Sequence, residues 1–111
     1  MGLEDKFFDM RDKAEKFLAR GKHDRAMAIY KEQERFCRKA DDPISLRLLA
    51  FCLTEQAMLL VEMRRSKEAI PLAAEALELH ERLGDEDRIE KSRVLLDAAH
   101  EAAHLERTGY R

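Results

Sequence analysis

Apolar residues recur with helical spacing along nearly the whole chain, in stripes that are cut at short, regular intervals. Leu3, Phe7, Met10, Ala14 and Phe17 are separated by four, three, four and three residues, which lays them along one helical face. Gly21-Lys22-His23 interrupts this stripe, and a second follows at Ala26, Ile29, Tyr30 and Phe36. It stops at Asp41-Asp42-Pro43, where Asp42 suits an N-cap and Pro43 the first helical position. A third stripe joins Leu46, Leu49, Ala50, Leu53, Ala57 and Leu60, and Arg64-Arg65-Ser66 ends it, with Ser66 expected as the next N-cap. The fourth joins Ala69, Ile70, Ala73, Ala76 and Leu77, with Pro71 distorting its start without breaking it. After Gly84, Asp85 is expected to cap a long last helix over 86–107, and Thr108-Gly109-Tyr110-Arg111 reads as a frayed end. Five helices with short connections imply an antiparallel all-α array.

The chain also matches itself. Shifted by 43 residues, Met10 falls on Leu53, Ala14 on Ala57, Phe17 on Leu60, Ala26 on Ala69 and Met27 on Ile70. Shifted by 42 from there, Leu53 falls on Leu95 and Ala57 on Ala99. The copied positions are those where helices must touch, so the chain reads as one domain, 1–111, made of units at 7–40 and 50–83 and a closing half-unit at 86–107.

Composition narrows the function. Charged residues make up 40% of the 111 residues, yet Lys and Arg nearly balance Asp and Glu, for a net charge of −2. Balanced charge with ordinary apolar content describes solvated helix faces, and gives no electrostatic ground for nucleic acid or an anionic membrane. The basic clusters Arg35, Arg38, Lys39, Arg47 and Arg64, Arg65, Lys67 are interleaved with acids and read as solvated surface. No apolar run of about 18 residues stands out as a membrane span. The start turns acidic at once, unlike a signal peptide, and Lys6 stands where a myristoylation motif wants Ser or Thr. Cys37 and Cys52 lack C-x-x-C pairing and read as reduced core or boundary thiols, from which a cytoplasmic location is expected.

One motif suggests catalysis. His100-Glu101-Ala102-Ala103-His104 fits the H-E-x-x-H pattern of zinc proteases, in which two histidines one turn apart share a metal and the glutamate is the base. A third ligand is needed, and the only later acid, Glu106, lies on the same turn of chain. No glycine-rich phosphate loop or Gly-x-Ser-x-Gly elbow is present. His23 and His80, alone near helix or turn ends, read as surface residues. No enzyme, metal or cofactor is expected, and an H-E-x-x-H metal-binding protein is kept as the remote alternative.

The repeated units resemble tetratricopeptide repeats, in which a small residue midway along helix A meets another early in helix B. Ala14 with Ala26, and Ala57 with Ala69, occupy those slots, and the turn from Gly21 resembles the family's glycine-started turn. Met10 and Leu53 stand where the family has an aromatic, and Arg64 replaces the second turn glycine. The 42–43-residue spacing exceeds the basic period of about 34 residues. It resembles a longer-helix variant found at the C-terminal end of bacterial multidomain sensor and ATPase proteins, as does the stretch Tyr30–Arg38. The resemblance implies a right-handed α-α superhelix of five helices, and a non-catalytic scaffold or adaptor that holds a peptide or helix of a partner in a concave groove lined by A helices. Carried over, the groove positions are Phe8, Arg11, Glu15 and Leu18, then Phe51, Thr54, Met58 and Glu62, then Arg93, Leu96, His100 and His104. Phe51 and Met58 either face a partner or pack on the next helix of the array. The family's carboxylate clamp is disfavoured, because Arg11, Glu15 and Glu55 stand in the corresponding region and the chain has no Asn. Units this few are expected to self-associate as a homodimer, or to belong to a longer array.

Overall fold

A computed structural model describes residues 2–109, and within them five α-helices and no strand: α1 Leu3–Ala19, α2 His23–Cys37, α3 Pro43–Glu62, α4 Ser66–Leu83 and α5 Glu86–Arg107. The readings that involve Met1, Tyr110 and Arg111 lie outside the described residues.

Local chemistry fixes where the helices start and stop. Asp42 accepts the Ser45 backbone N–H at 3.3 Å and the Ser45 hydroxyl at 2.7 Å, with Pro43 opening α3. Asp85 accepts the Arg88 backbone N–H at 3.4 Å at the start of α5. The turns between hairpin partners share one pattern. Gly21 N–H reaches Leu18 O and Lys22 N–H reaches Phe17 O, while Arg64 N–H reaches Val61 O and Arg65 N–H reaches Leu60 O. These four residues correspond pair by pair at the 43-residue shift. Gly21 has φ 72° and Arg64 φ 59°, so a non-glycine residue takes the left-handed conformation where the first turn has glycine.

The start of α4 differs from expectation. Ser66 is its first helical residue rather than its cap, and the cap comes from the far end of the chain. Glu106 of α5 accepts the Ser66 backbone N–H at 2.9 Å through one oxygen and the Ser66 hydroxyl through the other. Ser66 is fully buried, so a partner for both groups is required there. Pro71 sits inside α4, which continues through it.

Each helix packs on the next in sequence, and α1 also touches α3 as α3 touches α5. Among the described residues α1 meets neither α4 nor α5, so the array is open, 47 × 34 × 20 Å. Ala14, Ala57 and Ala99 are wholly buried at matching places in α1, α3 and α5, as are Ala26 and Ala69 in α2 and α4. Alanine there lets helix backbones approach closely. Polar bolts join the layers: the buried Gln33 amide donates to Phe7 O at 2.8 Å, and the Gln56 amide to Glu34 at 2.8 Å. Arg38 donates to Glu34 at 2.8 Å and to both Glu75 oxygens at 2.8 and 2.7 Å, tying α2 to α4.

Helix α3 is the most apolar. By length and composition it could cross a membrane, with a mean hydropathy of 1.6 over its best window, so an apolar run does stand out where none was read. It is apolar on most sides because it touches all four other helices. Cys37 and Cys52 are both free and buried, and burial pushes the thiols up to about 11 and about 12.

Candidate functional site

Phe51, Thr54 and Met58 recur at three and four residues along α3, which brings them onto one face of the helix. On α5, Arg88, Lys91, Leu95 and Ala98 form a matching stripe, with Ser92 and Val94 beside it. The space between these faces is an open groove of about 580 Å³, with His80 of α4 and Arg11 of α1 completing its lining. Its walls are mostly apolar. Met58 is 51% exposed and Val94 60%, the two most exposed large apolar side chains among the described residues.

At the α1 end, aromatic rings meet edge to face. Phe51 lies 5.9 Å from Phe7 and 6.2 Å from Phe8, ring centre to ring centre. The Arg11 guanidinium sits 5.0 Å over the Phe51 ring, donates to Glu55 at 2.8 Å and stands 3.1 Å from Glu15. Arg11 is thus held across the junction of α1 and α3, and Glu55 holds it more firmly protonated than an ordinary arginine.

At the α5 end, Arg88 pairs with Asp85 at 3.0 Å, while among the described residues no carboxylate pairs with Lys91. His80, expected at the surface, is only 4% exposed and its Nδ1 has no hydrogen-bond partner. Its pKa falls below the usual 6.5, because burial disfavours the charged ring and Arg88 repels it, against a weaker pull from Asp85. The ring is therefore neutral near pH 7.

Of the positions carried over from the resemblance, Arg11, Phe51, Thr54 and Met58 line this groove, and Phe8 and Glu15 border it through Phe51 and Arg11. Thr54 spends its hydroxyl on Ala50 O at 2.9 Å. Phe51 is half-buried and also packs on the core. Glu62, the last residue of α3, is exposed, and Leu18 is half-buried; neither lines the groove. Leu96 packs against the core, Arg93 reaches toward Glu81 at 3.9 Å, and His100 and His104 are exposed outside the groove. The His104 ring lies 3.1 Å from Arg107. Among the described residues no three His, Cys, Asp or Glu side chains come together as a metal site would require.

From α5 the groove takes Arg88, Lys91, Ser92, Val94, Leu95 and Ala98 instead, while Ala99 turns inward. His80 was legible in principle: it extends the stripe Ala69, Ala73, Ala76 by four residues and occupies the place of buried Cys37 one unit earlier. What the lining offers is shape, apolar surface and a few fixed charges. No known protein family, curated protein or solved structure matches the chain.

Proposed function

We propose that the chain is a non-catalytic protein-interaction module, built as a tetratricopeptide-like superhelix, whose groove between α1, α3 and α5 holds a peptide or helix of a partner protein. The observation that carries this reading is the exposed Met58 and Val94 in the groove, joined by half-buried Phe51 and by exposed Phe8 at its edge, in an otherwise highly charged chain. An apolar strip of this kind is stabilised by being covered, and a partner helix or extended segment has the right dimensions. The contacts of α1 with α3 and of α3 with α5 set these helices side by side along the groove.

Substituting Met58→Arg together with Val94→Arg tests it, since both side chains are more than half exposed and the fold should persist. Partners recovered from the source cell by the parent chain, and identified by mass spectrometry, should fall by at least about tenfold with the double variant, a loss of about 1.4 kcal/mol or more. Equal recovery, with unchanged circular dichroism, would move binding away from the groove. Light scattering on both proteins at two concentrations separates a self-associating module, in which the variant would dissociate a dimer.

A further inference from the structure

Resting on that reading, we infer that the groove takes an acidic amphipathic helix, with a carboxylate of the partner on Lys91 and its apolar side chains between Phe51, Met58, Val94 and Leu95. The chain as a whole carries a net charge of −2, yet three cationic side chains line the groove, Arg11, Arg88 and Lys91, against the single carboxylate of Glu55. Arg11 is already matched by Glu55 at 2.8 Å and Arg88 by Asp85 at 3.0 Å, so the unmatched positive charge of the groove is Lys91 on the α5 wall. Lys91 there pairs with no carboxylate among the described residues.

The same wall sets the partner's spacing. Lys91 precedes Val94 by three residues and Leu95 by four, so its charge and the apolar surface lie one helical turn apart. A partner helix covering both needs an acid within one turn of its apolar anchor. The buried, unpartnered Nδ1 of His80 beside Arg88 marks this end of the groove as the one with polar capacity unmet. Opposite charge brought to a partly desolvated wall speeds association and selects among partners more than it adds affinity.

The test uses the full chain and three series of helix-forming peptides of about four turns, blocked at both ends and sharing one leucine stripe. They differ only in carrying Glu, Gln or Lys one turn from the stripe. Fluorescence anisotropy should rank Glu first by about tenfold over Gln, with Lys weakest, and added salt should shrink the gap. Substituting Lys91→Glu should reverse the order. Equal binding of the three series, or Lys first, overturns the inference while leaving the groove reading standing. Failure of every series, or binding indifferent to Met58→Arg with Val94→Arg, overturns the groove reading itself. Displacement of the Glu series by a thymidine oligonucleotide of similar length would overturn the inference in favour of a nucleic-acid site.

Discussion

The first hairpin, α1–α2, and the second, α3–α4, turn at corresponding residues but have different interiors. Helices α1 and α3 end at Ala19 and Glu62, and α2 and α4 begin at His23 and Ser66, each pair 43 residues apart. Inside, the first hairpin buries Tyr30, Gln33 and Cys37 where the second buries Ala73, Ala76 and His80. Bulk and a hydrogen bond from Gln33 to Phe7 O fill the first interface, whereas small residues close the second by letting helices approach. Matching turns therefore carry different fillings, large residues in one hairpin and small ones in the other.

The largest effect should come from emptying the first interface. Tyr30→Ala removes a ring that is 1% exposed and should cost about 3–4 kcal/mol in urea unfolding. The counterpart change, Ala73→Leu, overfills the second and should cost about 1–3 kcal/mol. If Ala73→Leu is neutral, the second interface is loosely packed and the contrast between the hairpins dissolves.

A smaller pair of changes probes the turns. Gly21 has open space around it, so Gly21→Ala should cost about 1 kcal/mol through backbone conformation alone. Arg64→Gly should raise stability by a similar amount, because φ 59° strains arginine and not glycine. Thermal melts of the two variants should move in opposite directions. Movement in the same direction would mean that Arg64 holds its turn by contacts the glycine lacks.

The smallest effect should be the pH response of the second hairpin. His80 is harder to protonate folded than unfolded, so as pH falls below about 6.5 the unfolded chain gains the proton first. Stability should decline from there down to the lowered folded value, with a slope below the one-proton limit of about 1.4 kcal/mol per pH unit. His80→Leu should flatten that part of the profile, which urea titrations across pH would reveal. An unchanged slope would assign the decline to other groups.

The sequence made the five helices and their boundaries legible because period and capping are local. Asp42 and Asp85 work as caps in the way their neighbours suggest. The clasp of Glu106 on Ser66 was not legible, since the two residues lie 40 apart and only packing brings them together. The α3 side of the groove could be read from Phe51 and Met58, which lie two turns apart. The α5 side could not, because the repeat shift matches residues across units, whereas α5 turns Arg88, Lys91 and Leu95 toward α3 rather than His100 and His104. His80 reads as surface from its place near a helix end, and its position four residues beyond Ala76 on the alanine stripe is what buries it.

Anchoring the first turn of α4 to the last turn of α5 makes a local event at one end visible at the other. When α5 lifts away, the Ser66 amide loses its acceptor and opens to solvent hydrogen. That single amide is therefore a built-in gauge of whether the final helix is docked, readable by exchange without any label on α5 itself.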